Sequence, residues 1–489
     1  MQLGLIGLGT MGANLARNAA RNGARVSVFN RTGEKTDDFM AAHGSEGEFV
    51  PCKAIDEFVA SMQSPRAIIL MVKAGEAVDE MIQVLLPHLS EGDILIDAGN
   101  SHHTDSQRRV KELADKKIRF LGMGVSGGEE GALHGPSMMP GGDRSAYDHI
   151  EPLLKSMAAD DGSAEPVLSS AEGVTTGGAG GKCVSYVGPD GAGHFVKTVH
   201  NGIEYGVMQL IAESYDLLKR LGGLSNAELA QTFDAWSKSP DLRGFLMEIT
   251  ATIFTIKDPD GGNDLIDMIK DAAAQKGTGK WTTESAFLYG VSVPTITAGV
   301  DARIMSAAKE FRVMQAKATP LQVDDFPVNQ EELINDVRAA LELSMLNVYA
   351  QGLQLISEAS KQEVWNINVS EICRIWRSGC IIRSSMIEMY QNAFAGDRDP
   401  PGLAVRTGAG LALRARFDRE RQINWRRTVA LGALRGIPLP AMSSALWYYD
   451  SYRTEKLPQN LIQAQRDFFG AHGFERVDRE VEEHGVWHT

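Results

Sequence analysis

Residues 2–12 read QLGLIGLGTMG. An apolar run from Leu3 to Ile6 gives way to Gly7, Gly9 and Gly12, and a helical pattern, ANLARNAARNG, follows. Strand, glycine turn and helix in that order present bare backbone N–H groups at a helix N-terminus, where an anion is favoured. The glycines permit a tight turn and close backbone approach. The stretch therefore predicts a βαβ unit whose loop, Gly7, Leu8, Gly9, Thr10, Met11 and Gly12, cradles the pyrophosphate of a dinucleotide.

Working outward, RVSVFN, RAIILMV, DILIDAG and RFLGMGV repeat the pattern of short buried strands separated by helical segments. Alternation of this kind implies a doubly wound parallel sheet. At the end of the second strand, a carboxylate would bind the 2'-hydroxyl of NAD. This chain has Asn30, Arg31 and Thr32 there, with no acid to repel a 2'-phosphate and an arginine to pair with it, which favours NADP. Later loops fall at the carboxyl edge where such sheets bind ligands. They are Val72, Lys73 and Ala74, then Asn100 and Ser101, then a glycine-rich loop from Gly124 to Gly142. In that last loop Ser126, Gly127 and Gly128 offer a hydroxyl and backbone amides. From Asp160 to Gly193 the composition turns to Gly, Ser and Asp, as expected of a long loop or a boundary.

The remainder is helical in pattern up to about Tyr452. Within it, residues 197–205 read KTVHNGIEY. Lys197, His200, Asn201, Glu204 and Tyr205 fall on one helical face, while Val196, Val199, Ile203, Val207 and Leu210 form a second, apolar stripe. A helix anchored on one arc and polar on another is suited to hold a polar ligand. A solvated face would favour Lys–Glu pairs over His-Asn with Tyr. Lys276 in QKGTGKW, Arg303, and Arg466 and His472 in the tail each read alone as surface charges; together they supply cations suited to a sugar phosphate. No short-period repeat is visible, and a duplicated helical half is left open.

Composition sets limits. The chain has 489 residues, 43% hydrophobic and 23% charged, with a net charge of -14. That charge argues against general nucleic-acid affinity. No apolar run reaches the roughly 18 residues of a membrane helix. The four cysteines show neither metal-ligand nor redox spacing, which suits buried thiols in a reducing, cytoplasmic setting.

GLGTMGANL, FNRT, MVKAG, IDAGNS, GVSGGEEGA, GPSMMPGG, GAGHFVKTVHNGIEYG, QKGTGKW, GCIIRS and NLIQAQRDFFGAH together span nearly the whole chain. In that order they resemble the decarboxylating 6-phosphogluconate dehydrogenases of the pentose phosphate pathway. The resemblance implies an NADP-binding Rossmann-like domain (1–190), an all-helical substrate and dimerisation domain (191–453) and a tail (454–489) that reaches the partner of a homodimer. It implies conversion of 6-phospho-D-gluconate to D-ribulose 5-phosphate and CO2 with reduction of NADP+, without a metal. It makes Lys197 and Glu204 catalytic. Substrate contacts would be Asn100, Ser126, Gly127, Gly128, His200, Asn201, Tyr205, Lys276 and Arg303, with Arg466 and His472 donated by the neighbouring subunit. Cofactor contacts would be the Gly7–Gly12 loop, Asn30–Thr32, Val72–Ala74 and Asn100. The chain departs from the family pattern at Leu133 and His134, in a longer stretch near 160–182, and at its C-terminal end. The alternatives are another β-hydroxyacid dehydrogenase, usually much shorter, and a non-catalytic dinucleotide sensor, which need not retain both proton carriers.

Overall fold

The computed structural model describes residues 1–162, 181–323, 326–395 and 413–487. The first 157 residues alternate as expected: β1 (Gln2–Ile6), α1 (Thr10–Arg21), β2 (Arg25–Phe29), α2 (Gly33–His43), β3 (Phe49–Cys52), α3 (Ile55–Ala60), β4 (Ala67–Leu70), α4 (Glu76–Leu85), β5 (Ile94–Asp97), α5 (His103–Ala114), β6 (Arg119–Ser126), α6 (Gly128–His134), β7 (Ser137–Gly142) and α7 (Arg144–Met157). The strands form one sheet in the order β3-β2-β1-β4-β5-β6-β7. The first six are parallel, and the chain crosses from one side of β1 to the other between β3 and β4. Ligands bind such sheets at that reversal, outside the carboxyl ends of the strands. Helix α1 covers the sheet with Gly12, Leu15, Ala16 and Ala19, the i, i+3, i+4, i+7 set of one face.

Two strands correct the reading from sequence. The stretch Gly124 to Gly142, expected as a loop, is the end of β6, a short helix and β7, and β7 pairs antiparallel with β6. β3 was not anticipated either. Both are edge strands and both contain a proline, Pro51 and Pro140. Proline removes a ladder donor and is tolerated only at an edge, so the residue that hid these strands also explains where they lie. The composition shift at 160–193 falls largely outside the described residues.

The second part is helical: α8 (Ala192–Arg220), α9 (Asn226–Lys238), α10 (Phe245–Ile253), α11 (Leu265–Met268), α12 (Thr278–Leu288), α13 (Pro294–Ala307), α14 (Lys309–Ala318), α15 (Gln330–Gln362), α16 (Val369–Ile375), α17 (Ser385–Ala395), α18 (Arg419–Leu434) and α19 (Pro440–Arg453). The stripe Val196, Val199, Ile203, Val207 and Leu210 of α8 is fully buried. At 1.5–3 kcal/mol for each such side chain, it contributes on the order of 10 kcal/mol toward holding that helix in place. The long helices α8 and α15 pack together at the centre.

The helical part is also duplicated. Trp236 and Trp376, Arg243 and Arg383, and Glu248 and Glu388 are pairs separated by one common interval. The backbone repeats the relation: Phe245 N donates to Arg383 O at 3.1 Å and Ser385 N to Arg243 O at 2.9 Å, on either side of a Gly244–Ser384 bridge. By the same interval, α15 is the counterpart of α8.

The tail folds on itself. In α20 (Gln459–Gly470), Asp467 accepts hydrogen bonds from Gly473 N, His484 Nδ1, Gly485 N and Trp487 Nε1. These close a turn over a small hairpin of β8 (Phe474–Glu475) and β9 (Glu482–Glu483). Leu461, Ile462, Phe468 and Phe469 remain exposed. No helix among the described residues is long and apolar enough to cross a membrane.

Candidate active site

Helix α8 reaches the carboxyl edge of the sheet because glycines remove the obstacles. A β-carbon on Gly193 would stand 2.1 Å from Gly122 O, and one on Gly124 would stand 2.4 Å from the Lys197 β-carbon. The helix backbone therefore lies directly on β6 and β7, and its polar face meets the end of β6 at Ser126.

That face is not solvated. Lys197, His200, Asn201 and Tyr205 are buried, and Glu204 is half-buried. Three of these groups form one hydrogen-bond chain with Ser126. Lys197 Nζ donates to Asn201 Oδ1 at 2.8 Å. His200 Nδ1 lies 3.1 Å from the same oxygen, and His200 Nε2 lies 3.0 Å from Ser126 Oγ. An amide oxygen can only accept, so His200 carries its proton on Nδ1 and accepts from Ser126 at Nε2. Ser126 Oγ in turn accepts from Ile381 N at 3.4 Å, which links the face to the GCIIRS run. The His200 ring stands edge-on to Trp376.

Burial sets the charge states. Desolvation is the largest influence on Lys197 and pulls its ammonium from 10.5 down to about 8, with the Glu204 carboxylate partly opposing. Desolvation also raises the Glu204 carboxyl, opposed by Lys197 and Arg303. His200 is held well below its usual 6.5 by burial and then by Lys197, so it stays neutral. The face thus holds a weakened ammonium, a strengthened carboxylic acid and a neutral imidazole, an arrangement capable of moving two protons at two positions of one ligand.

Farther along α8, the Arg303 guanidinium lies 3.5 Å over the Tyr205 ring. Arg303 also donates to Ala274 O at 3.4 Å, which brings the exposed loop of Lys276 beside this end of the site. Gly127 and Gly128 follow Ser126 with φ of 123° and 63° and turn the chain into α6. Asn100 is exposed at the end of β5. Arg466 and His472 are not brought to this cluster within one chain: Arg466 donates to Gln463 and His472 packs on Phe469.

The glycine loop fits a dinucleotide. A β-carbon on Gly12 would come 1.9 Å from Gly7 O, one on Gly7 2.4 Å from Met71 O, and Gly9 faces open space. Asn30 braces this loop, accepting from Leu8 N at 3.1 Å and donating to Thr32 O at 3.1 Å. Its amide is therefore spent within the chain, whereas Arg31 is exposed and makes no hydrogen bond among the described residues. Val72, Lys73 and Ala74 follow β4 on the same edge, beside the loop after β5 that carries Asn100.

Sequence reasoning missed Arg109. This side chain is 1% exposed and lies beneath the last two loops. In QRRVKELA it resembles any solvent-facing arginine. The available signal was Asp97, an acid at the end of a buried strand that requires a buried partner.

Two family models match. The NAD binding domain of 6-phosphogluconate dehydrogenase covers residues 2–188, and the 6-phosphogluconate dehydrogenase C-terminal domain covers 193–487. A decarboxylating 6-phosphogluconate dehydrogenase of Synechococcus elongatus is 49% identical over 99% of both chains. An NADP(+)-dependent, decarboxylating one of Bacillus subtilis is 48% identical over 100% of this chain and 98% of that one. The Plasmodium falciparum 6-phosphogluconate dehydrogenase, solved in apo form and with NADP+ or 6-phosphogluconate, superposes with a TM-score of 0.90 at 38% identity over the full length of both.

Proposed function

This chain belongs to the 6-phosphogluconate dehydrogenase family, and from that premise we propose how its residues carry the reaction. The activity is the oxidative decarboxylation of 6-phospho-D-gluconate to D-ribulose 5-phosphate and CO2, with NADP+ reduced to NADPH. The observation that carries the assignment of roles is the buried pair on α8, a lysine weakened as an ammonium and a glutamate strengthened as an acid.

NADP+, when bound, supplies the hydride acceptor. The Gly7–Gly12 loop takes its pyrophosphate, Arg31 its 2'-phosphate, and Val72–Ala74 with Asn100 line the approach to the substrate. Neutral Lys197 accepts the C3 hydroxyl proton as that carbon is oxidised. The 3-keto acid then loses CO2, with the electron pair of the C1–C2 bond passing into an enediolate that Lys197 protonates at oxygen. Glu204 gives its proton to the former C2, now C1 of ribulose 5-phosphate, while Lys197 takes back the enediol proton. The cycle begins with neutral Lys197 and protonated Glu204 and ends with the charged pair, so no net proton is consumed. Ser126, His200 and Asn201 fix the amine and the substrate hydroxyls. Lys276 and Arg303 bind the anionic groups.

The tail's part follows from what it leaves exposed. Arg466 and His472 are exposed, as are Phe469 on the tail and Ile304, Met305, Phe311 and Met314 on α13 and α14. A homodimer in which each tail covers its neighbour gives these apolar faces a partner and adds two cations to the site. The division into 1–190, 191–453 and 454–489 is the matching domain plan. Four free, buried thiols suit a cytoplasmic setting.

The test is NADPH formation from 6-phosphogluconate with coupled measurement of CO2, using NADP+ and NAD+ in parallel. Equimolar NADPH and CO2 is the expected result. Reduction without CO2 release would overturn the decarboxylating role, and activity confined to a non-phosphorylated β-hydroxyacid would overturn the substrate.

A further inference from the structure

We propose that Arg109 is a positioning residue that sets the spacing between the cofactor loop after β4 and the substrate loop after β5. The proposal rests on the dehydrogenase reading for the identity of those loops. The geometry is a three-way clamp. On one side, Arg109 Nε and Nη2 donate to the two carboxylate oxygens of Asp79 at 2.8 and 3.0 Å, and Nη2 donates to Gly75 O at 3.0 Å. Gly75 and Asp79 are the start and first turn of α4, directly after Val72, Lys73 and Ala74. On the other side, Nη1 donates to Asp97 Oδ2 at 3.1 Å and approaches Ser101 Oγ at 3.4 Å. Asp97 also accepts from Gly99 N at 3.0 Å and Ser101 Oγ at 2.6 Å, and so shapes the turn that presents Asn100.

The two loops follow adjacent parallel strands, with Leu70 opposite Asp97 in the register. Past the Ala98 N to Leu70 O hydrogen bond at 3.0 Å, no backbone hydrogen bond among the described residues joins the two loops; one guanidinium does. Only arginine carries donors in a fixed fork able to face two carboxylates and a carbonyl at once. A purely stabilising ion pair would have no reason to join two ligand loops. A clamp there governs where the nicotinamide end of the cofactor meets the substrate, and a misplacement of about 1 Å at that point costs about a hundredfold in rate.

Two variants separate the roles. Arg109→Lys keeps a charge beside Asp97 but loses the fork. Asp79→Asn loosens the α4 end, where Asp79 also accepts from Arg108 Nη2, leaves the Asp97 side intact, and alters a side chain that is 33% exposed. NADP binding is titrated by fluorescence without substrate, and turnover and melting temperature are measured separately. Arg109→Lys is expected to weaken NADP binding about five- to tenfold and lower kcat about ten- to a hundredfold. Asp79→Asn should weaken NADP binding about two- to fivefold with the KM for 6-phosphogluconate within twofold. If Arg109→Lys does not fold, Asp79→Asn decides alone. Variants that bind NADP and turn over within twofold of the parent, losing only thermal stability, would overturn the clamp. A parent that binds NADP but does not oxidise 6-phosphogluconate would instead overturn the dehydrogenase reading, leaving the clamp to be judged by binding.

Discussion

Replacing Lys197 by methionine should abolish turnover and, at neutral pH, make the protein more stable. The Lys197 ammonium falls from 10.5 to about 8 on folding. At 1.36 kcal/mol per unit, holding the charged form in the folded site costs about 3.4 kcal/mol. The sign follows from proton counts. Between about pH 8 and 10.5 the unfolded chain binds more protons at this residue, so stability rises with pH across that window; below about 8 the full penalty applies. Methionine has similar length and no charge to desolvate. It forfeits the Nζ–Asn201 hydrogen bond, about 1 kcal/mol, but does not strand the amide oxygen, which keeps His200 Nδ1. The net expectation at pH 7 is a gain of about 2 kcal/mol. At pH 9.5 the penalty relieved shrinks to about 1.4 kcal/mol, and the difference between the chains crosses zero near pH 10. Urea midpoints at pH 7 and 9.5, at one protein concentration and with unchanged slope, measure this. NADP should still bind. A variant less stable by the same amount at both pH values would refute the buried-charge argument, and near-normal turnover would remove Lys197 as the base.

Four further outcomes follow from the site. The working form, neutral Lys197 with protonated Glu204, holds as many protons as the charge-separated form, so kcat/KM should trace a bell whose alkaline limb falls through about pH 8. Glu204→Gln should cut turnover about a hundred- to ten-thousandfold and turn that limb into a rise to a plateau; an unchanged alkaline fall in the variant would contradict the shared-proton scheme. Arg31→Ala should weaken NADP about ten- to a hundredfold in direct titration and leave NAD nearly unaffected, whereas equal losses would show that Arg31 does not read the 2'-phosphate. Mixing Lys197→Met chains with Arg466→Ala chains, each inactive alone, should restore activity after subunit exchange, since one site of each mixed dimer then has both an intact lysine and an intact tail. No recovery from a mixture proven to exchange would count against the swapped tail.

What could be read from sequence was whatever is local. The glycine turn, the four strand-like runs after it and the two stripes of α8 each involve residues within a few positions of one another, and their periodicity carries the structure. Pro51 and Pro140 broke that periodicity in β3 and β7 because an edge strand does not need the donor that proline lacks. The hydrogen-bond chain from Lys197 through Asn201 and His200 to Ser126 was visible as residue types, but not as a chain, because Ser126 arrives from another element. Arg109 was illegible for the same reason: its partners sit on two separate loops, and nothing in QRRVKELA says which arginine turns inward. Within their own chain Arg466 and His472 contact only tail residues, Gln463 and Phe469, among the described residues, so neither periodicity nor intrachain contact could place them at the site.

The duplication shows how the polar face is supported. At the positions of α15 corresponding to Lys197, His200, Asn201, Glu204 and Tyr205 stand Val337, Ala340, Leu341, Ser344 and Met345, all buried. The same helical scaffold therefore packs with an almost entirely apolar face in one copy and a titrating one in the other. Burying polar and ionisable groups is unfavourable unless they are paired, and the apolar copy is the arrangement that packing alone selects. The polar face on α8 is the departure. It is tolerated because Asn201 and Ser126 satisfy the imidazole and the amine, and because α15 provides a rigid apolar partner along the stripe from Val196 to Leu210. This accounts for the sign of the first prediction: changing Lys197 to methionine returns α8 toward the composition its counterpart already has, and gains stability at the expense of the proton carrier.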